Sequence, residues 1–599
     1  KELYKNAKTE EEINLLIKTF SSALETRHFM RFCGVEIQGF TQKQDYKPDT
    51  FDEIYDYYNI ILDLLIDYIS NNNKEAVSVL FSHTLPLIRY HQKTRDLIIE
   101  KIEELYKSQK IDGTKFYKEI SNKLKHMHNI NEDIMQPAID SFSKIKNELE
   151  KTTPEDSIEA FFDIDSWDVL ENFDNHFEAF VNVILKAYNN FVESADEEKK
   201  QNFIKLCIQK KYKNDFYFGT AIARADNLDF LPDDYITYVK NSDNEDGLFI
   251  PGYLNEIYKK SNENYDKAIQ KIYESELYEL VFNINVQGYK TDLSAKLLLN
   301  VITTGKVQAD KMQKLVWDID KIPENIIKEL LEFSLKGENH SAIKSALNIL
   351  MHGKILWKEG NINLIYNVLS KVVYKEQGKV YANISDDYIW ANVISKFIKI
   401  CNNEEQIFNI FDELLNYITS KSGYYYLPNE MKEVFSLTLK RNSHRCWELI
   451  SKYLVPDKIF LNPIREWLRG DDDFGHNISG ALTEFNKDDI FKWIDENMEE
   501  RLGIIAYCCP KDLFTGGNLI KSLLIRYGSN ENLYKYLHSN YANKGWIGKE
   551  SDNIKNELAL AEKTKDNEKN IYVLNFINQY IDHLNAYLNY AERYEERYD

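Results

Sequence analysis

Residues that turn or break a chain are scarce in this sequence. Its 599 residues include 22 glycines and 11 prolines, a share well below the roughly 12% that the two residues reach in average proteins. So few turn-forming residues favour long helices joined by short connections. Hydrophobic residues make up 43% of the chain, which is enough for a buried core, so the composition excludes a disordered chain.

Long apolar runs and a basic surplus are also missing. No run approaches the roughly 18–20 apolar residues of a membrane span, and even residues 51–70 carry acids every few positions. No signal peptide is recognisable. The net charge of −21 argues against nucleic acid as the main partner, although 75 basic residues leave room for a local basic patch. We therefore expect a cytoplasmic protein without a membrane partner.

Cysteines and catalytic motifs give little sign of chemistry. The six cysteines form no CxxC pair, which indicates reduced thiols instead of a disulfide frame or a zinc site. Phosphate-binding loops, the Rossmann glycine pattern, HExxH and GxSxG are missing too. We expect no cofactor, no metal and no enzymatic activity in this chain. The chain begins at Lys1 without an initiator methionine, so we expect it to be part of a longer polypeptide that can carry an effector or ATPase domain upstream.

Amphipathic periodicity runs through the whole chain. In residues 573–588, apolar side chains recur at helical spacing and form one stripe, with polar residues opposite. Strand-like alternation is limited to short stretches, of which residues 248–253 and 379–385 are the best examples. The sequence therefore predicts an all-α fold.

Tryptophans recur at related places in the second half of the chain. Trp390, Trp447 and Trp493 follow one another at 57 and 46 residues, close to the roughly 40–47 residues of a HEAT or armadillo repeat. This spacing predicts a degenerate HEAT/TPR-like helical-repeat superhelix, an α-solenoid. Four segments are predicted: an N-terminal helical segment (1–150), a middle helical segment (151–280), HEAT-like repeats (281–540) and closing helices (541–599).

An acidic stretch, DDDFGH at residues 471–476, could hold a metal or form a turn. It lacks the spacing of a calcium loop, whereas Gly470 and Gly475 suit a turn between two helices. We interpret the stretch as a turn. Cys508 and Cys509, next to Pro510, are interpreted as buried thiols at a helix end instead of a redox pair.

Several segments, taken in order, resemble a known family. Residues 315–333, 386–398, 443–454, 487–510 and 543–588 resemble the C-terminal helical-repeat sensor region of bacterial antiviral STAND ATPases and related multi-domain defence proteins. The most specific piece is a Trp-Ile-x-Glu-Asn-x-x-x-Arg helix, from Trp493 to Arg501, that ends in Pro510. A second piece is the turn formed by Gly545, Trp546 and Gly548. The ATPase core and the effector of that family are absent from this chain.

The resemblance implies a sensor that binds a phage structural or packaging protein, such as terminase or portal, and then oligomerises to activate an effector. It implies no catalytic residue in this chain. A helical-repeat scaffold or adaptor for an endogenous cytoplasmic protein is the alternative, and an unrecognised enzyme built around residues 471–476 is a third reading. The candidate protein-binding residues are two exposed groups: Tyr424, Tyr425 and Tyr426, and Arg469, Asp471, Asp472 and Asp473.

Overall fold

The computed structural model describes residues 4, 7, 9–26, 50–70, 73–130, 133–168, 175–242, 247–336, 340–371, 384–420, 427–455, 463–470, 480–542 and 549–595. Within these ranges the secondary structure is helical and contains no β-strand, which confirms the all-α prediction. No helix in the same ranges has the length and apolar character that a membrane crossing requires. By its internal contacts the chain divides into two compact units, Lys1–Val301 and Ile302–Asp599. The four segments predicted from the sequence stay a prediction.

The first unit, up to the helix that spans the boundary, contains α1 (Glu10–Ala23), α2 (Phe51–Ser70), α3 (Lys74–Tyr90), α4 (Gln92–Ser108), α5 (Gly113–Ile130), α6 (Gln136–Thr152), α7 (Pro154–Glu159), α8 (His176–Ser194), α9 (Glu197–Gln209), α10 (Asp215–Asp226), α11 (Asp233–Lys240), α12 (Phe249–Lys260), α13 (Asn262–Glu274), α14 (Tyr278–Gln287) and α15 (Asp292–Thr303). Short 3₁₀ helices lie at Asp133–Met135, Ala160–Phe162 and Ser166–Asp168.

The second unit contains α16 (Glu324–Ser334), α17 (His340–His352), α18 (Ile362–Lys371), α19 (Ile384–Ile400), α20 (Glu404–Ser420), α21 (Asn429–Arg441), α22 (Ser443–Ile450), α23 (Pro463–Arg469), α24 (Lys487–Glu496), α25 (Met498–Cys508), α26 (Leu519–Tyr527), α27 (Glu531–Ala542), α28 (Glu550–Asn567) and α29 (Ile571–Glu595). Its 3₁₀ helices are Ala309–Lys321, Lys354–Leu356, Glu359–Asn361, Ser451–Tyr453, Ala481–Glu484 and Leu513–Thr515.

Local signals start many of these helices. Thr9 forms a capping box with Glu12 at the start of α1, because each side chain accepts the other residue's backbone N–H. The side chains of Asn73, Asp196 and Asn442 accept N–H groups at the starts of α3, α9 and α22. Such caps satisfy N–H groups that have no partner within the helix.

Within each unit, helices pack in a repeating order. Helix α2 contacts α4, α3 contacts α5 and α4 contacts α6; in the second unit, α19 contacts α21, α20 contacts α22 and α23 contacts α25. The recurring tryptophans lie inside this packing. Trp390 and Trp447 are buried, and the ring of Trp447 meets that of Trp493 edge-on at a centroid distance of 5.8 Å. Packing of each helix on its second neighbour is the arrangement of a helical-repeat fold, so the predicted fold class is confirmed within the units.

One local interpretation of the sequence was wrong, and one strand-like stretch is helical, as the all-α prediction requires. Within the stretch 248–253, residues 249–253 form the start of α12. Pro251 is tolerated there because the first turn of a helix needs no N–H from it. The Trp493–Arg501 motif was interpreted as one helix, but it is broken at Asn497, whose φ of −155° and ψ of 76° separate α24 from α25.

Candidate protein-binding surface

The predicted binding residues fall mostly on parts of the chain that are not described. Arg469, the last residue of α23, is described. The others, together with the Gly-Trp-x-Gly turn of the family resemblance, lie outside the described residues: Tyr424, Tyr425, Tyr426, Asp471, Asp472, Asp473, Gly545, Trp546 and Gly548.

Arg469 belongs to a structural connection between helices. Its Nη1 donates to Oδ1 of Asn540 at 3.3 Å. The buried Asn540 amide in turn donates to the carbonyls of Ala506 and Cys509, at 2.9 and 2.8 Å. These carbonyls lie at the end of α25, where backbone acceptors lose their helical partners. Arg469 therefore helps to join α23, α25 and α27, and its predicted part in binding stays a prediction.

Arg469 also lines a cleft of about 620 Å³ that contains the basic residues Lys487 and Lys511 and the start of α26. The carboxyl of Asp512 lines the same cleft. Burial raises the pKa of Asp512, and backbone N–H groups of Leu519 and Ile520 at the start of α26 oppose that rise. The chain thus places its own carboxylate at the helix end that would attract an anion.

The cysteine pair is buried and is not joined in a disulfide. Cys508 and Cys509 are fully buried at the end of α25, as predicted. Burial raises the pKa of Cys508 to about 12, and it raises that of Cys509 as well. Since the thiolate is the reactive form, both thiols are held inert near neutral pH. Among the residues that the structure describes, no group of three or more His, Cys, Asp or Glu side chains is arranged to hold a metal ion.

Sequence reasoning missed the most unusual surface residue, Trp317. Its side chain is 87% exposed, although it lies in the segment Ala309–Lys321 that packs along α17. A signal was available: Met312, Leu315 and Ile319 form the apolar stripe, and Trp317 falls on the opposite side. An apolar residue on the polar side of an amphipathic segment is a candidate contact for another molecule.

The backbone of this segment explains how Trp317 is presented. Ala309–Lys321 is 3₁₀-helical, with one non-helical residue at Asp318. In a 3₁₀ helix residues three apart lie above one another. Ala309, Met312 and Leu315 accordingly form a buried line, which anchors the segment. Lys311, Lys314 and Trp317 form a second line, in which Lys311 is half-exposed and the other two are exposed. We call these three residues the Trp317 ridge.

Both acids that follow Trp317 have partners within the second unit. Asp318 pairs with Lys321 at 2.9 Å. Oδ1 of Asp320 accepts the N–H of Ile355 at 3.2 Å, which fixes the end of the segment to the turn after α17. The carbonyl of Asp310 accepts a bond from Ser345 Oγ at 3.1 Å and fixes its beginning. The ridge is therefore held at both ends by the protein while its indole faces outwards.

Comparison with known proteins does not identify a family. No protein family and no curated protein matches the chain. Five solved chains match, among them the crystal structure of SYS-1, which is 12% identical over 97% of this chain and 93% of that chain, with a TM-score of 0.23. A TM-score this low transfers neither fold nor function.

Proposed function

We propose that the chain is the protein-binding sensor module of a bacterial antiphage defence protein. It recognises a phage protein in the cytoplasm through its helical-repeat surface and activates an effector elsewhere in the polypeptide or complex, with oligomerisation as the activating step. The observation that carries the binding role is Trp317, 87% exposed on an otherwise well-packed segment. The link to defence rests on the family resemblance of residues 315–333, 386–398, 443–454, 487–510 and 543–588.

Exposed tryptophan is unfavourable for an isolated protein and favourable at an interface. Its large apolar ring gains free energy when a partner removes it from water. Tryptophan is also enriched among the few residues that dominate binding at protein interfaces. The side chain of Trp317 adds almost nothing to the core of the second unit, whereas the neighbouring Leu315 and Met312 are buried. Trp317 is thus suited to bind another molecule.

The alternative is a helical-repeat scaffold for an endogenous cytoplasmic protein. The same exposed indole would serve it, because the surface chemistry alone does not tell a phage partner from a host partner. A sensor finds its partner only in cells that contain the phage protein, whereas a scaffold finds its partner in uninfected cells as well.

The test is co-expression of the tagged chain with cloned terminase or portal proteins from phages of the source bacterium, followed by affinity purification. We expect one of these proteins to co-purify with the wild-type chain and to be lost with Trp317→Ala. Trp167→Ala is the matched control, since Trp167 is 48% exposed in the first unit. Recovery of an endogenous protein from uninfected cells, lost with Trp317→Ala, would favour the scaffold. The sensor proposal is wrong if no phage protein binds while an endogenous one does.

A further inference from the structure

We infer that His444 forms a pH-sensitive bridge between α22 and α24, so that these two helices pack more tightly when its imidazole is protonated. The inference goes beyond the proposed binding function and does not depend on it. It rests on the position of the imidazole between two carboxylates, Glu448 on its own helix and Asp489 on α24. We call these three residues the His444 bridge.

Both ring nitrogens of His444 face a carboxylate oxygen. Nδ1 lies 3.0 Å from Oδ1 of Asp489, and Nε2 lies 3.5 Å from Oε1 of Glu448, one turn further along α22. A neutral imidazole has one N–H to donate, whereas the protonated ring donates from both nitrogens. The arrangement therefore uses both nitrogens as donors only when the ring is charged.

The two carboxylates do not contribute equally. The Asp489 side chain is 18% exposed, whereas that of Glu448 is 60% exposed. Water and salt screen a partly buried pair less than an exposed one. Asp489 should therefore carry most of the bridge, and its position on α24 is what couples the two helices.

The bridge lies beside an apolar contact between the same helices. The buried ring of Trp447 meets that of Trp493 edge-on at 5.8 Å. Since Trp447 and Glu448 follow His444 by three and four residues, the three side chains share one face of α22. The contact between the rings does not depend on protonation. A change in pH should accordingly alter how tightly α22 and α24 pack without separating them.

The groups in contact with His444 favour its charged form. Asp489 has the largest effect and Glu448 adds to it, whereas burial and Lys492 on α24 oppose them, and the result is a pKa of His444 above its ordinary value of 6.5. The start of α22 also opposes a positive charge, because the N-terminus of a helix is the positive end of its dipole.

Three other charged groups near the start of α22 have partners of their own: Glu404 of α20 accepts the Asn442 amide at 3.4 Å, Arg441 of α21 donates to the Ile398 carbonyl at 2.6 Å, and the guanidinium carbon of Arg445 lies 4.8 Å from the Phe408 ring centroid. Their charges are of both signs. The carboxylates that touch the imidazole therefore decide the sign of the effect.

The direction of the pH effect follows from linkage. Because the pKa of His444 is raised in the folded protein, the bridge contributes fully below about pH 6.5, the ordinary pKa of histidine. Its contribution is lost as pH rises through the raised pKa. The packing of α22 on α24 should thus be tighter at about pH 5.5 than at about pH 8.5.

The test is hydrogen exchange of the full chain at these two pH values, corrected for the intrinsic effect of pH, with peptides covering residues 443–450 and 487–496. We expect protection in the wild-type chain to be about twofold to fivefold greater at the lower pH, the size of an exposed ion pair.

Variants assign the effect, and each is compared with itself at the two pH values so that a general loss of stability cancels. His444→Gln and Asp489→Asn should each abolish the pH dependence, whereas Glu448→Gln should retain most of it. The matched control is His583→Gln, which removes an exposed histidine on α29 and should leave the pH dependence as in the wild-type chain.

The inference is overturned if protection of the two peptides in the wild-type chain is the same at both pH values. It is also overturned if the difference persists in His444→Gln or in Asp489→Asn, since another group would then cause it. Loss of the difference in His583→Gln would likewise contradict it, because that histidine lies outside the junction of α22 and α24.

Discussion

Arg501 lies across the ring of Trp493 on the other side of the break at Asn497. Its guanidinium carbon is 4.7 Å from the ring centroid, and its Nη1 donates to the carbonyl of Trp493 at 2.8 Å. The same Nη1 contacts Glu496 Oε2 at 2.6 Å. The Arg501 side chain therefore caps the end of α24 and also stacks on the indole of Trp493. The Trp493–Arg501 motif, the most specific piece of the family resemblance, forms a helix corner.

Arg501→Ala should loosen this corner. The change removes a charged hydrogen bond and a cation–π contact. We therefore expect the free energy of local unfolding of α24 and α25 to fall by about 1–2 kcal/mol. Arg501→Lys should recover little of it, because an ammonium cannot stack and bridge as a planar guanidinium does. Hydrogen exchange of peptides covering residues 487–508 measures the effect. Glu496→Ala is the control: its carboxylate is mostly exposed, so its loss should change protection only slightly. Equal effects of Arg501→Ala and Glu496→Ala would contradict the capping role.

Gly219 and Gly252 let α10 and α12 approach closely. A methyl group on Gly219 would lie 2.0 Å from the Phe249 carbonyl oxygen, and one on Gly252 would lie 2.1 Å from that of Phe216. Since these neighbours are backbone atoms, the helices themselves must move apart. Either glycine-to-alanine change should therefore lower the free energy of unfolding by about 3 kcal/mol or more.

The control for these two variants is Gly360→Ala, because a methyl group there meets no atom within 4 Å. We expect this change to stay within about 0.5 kcal/mol. Differential scanning calorimetry compares the three variants with the wild-type chain. A Gly219→Ala melting temperature as high as that of Gly360→Ala would show that α10 and α12 are not packed as described.

We expect Asp215 to make the stability of the first unit depend on pH. Burial raises its pKa from 3.8 to about 7, although the N–H of Tyr212 opposes the rise. The folded protein therefore keeps this proton to a higher pH than the unfolded chain does. Its contribution to stability is complete below about pH 4 and is lost as pH rises to about 7. Asp215→Asn should remove this loss and stabilise α10 by roughly 2–4 kcal/mol at about pH 8.

Hydrogen exchange of peptides from α10, corrected for the intrinsic effect of pH, tests the role of Asp215. We expect protection in the wild-type chain to be weaker at about pH 8 than at about pH 5, and equal at both for Asp215→Asn. Asp234→Asn, at an exposed position on α11, should behave as the wild-type chain. A pH effect that persists in Asp215→Asn would assign the effect to another group.

Cys508 and Cys509 should resist alkylation in the native protein. Both are buried and burial raises the pKa of each thiol, so the thiolate is scarce and iodoacetamide has no access to it. Peptide mapping after brief labelling at about pH 8 should find these two cysteines unmodified, and labelling in urea should modify both. Rapid labelling of either cysteine in the native chain would revive the redox interpretation.

The sequence predicted those parts of the structure that depend on local pattern. Periodic apolar stripes indicated helices, the recurring tryptophans marked packed repeats, and the position of Cys508 and Cys509 before Pro510 indicated a buried helix end. Features with a non-local cause were not visible in the local pattern. Residues 248–253 alternate like a strand, yet they enter a helix in which Gly252 is required where α12 meets α10. The Trp493–Arg501 motif was interpreted as one helix, because its local pattern does not show the break at Asn497. That break is accompanied by the hydrogen bond from Arg501, four residues later, to the carbonyl of Trp493.

Sequence pattern alone determined that this chain is helical, that its core is built from repeated amphipathic stripes, and that Cys508 and Cys509 lie inside. The apolar stripe around Trp317 places its ring on the polar side of the segment, but only the tertiary structure decided that the ring stays exposed. Trp317 and Trp447 are chemically identical, and each lies in an amphipathic segment. Trp447 has neighbours in Phe485 and Trp493, whereas Trp317 projects from the side of its 3₁₀ helix that faces away from α17. Burial depends on which element covers a side chain, and that cover is supplied by residues far away in the sequence.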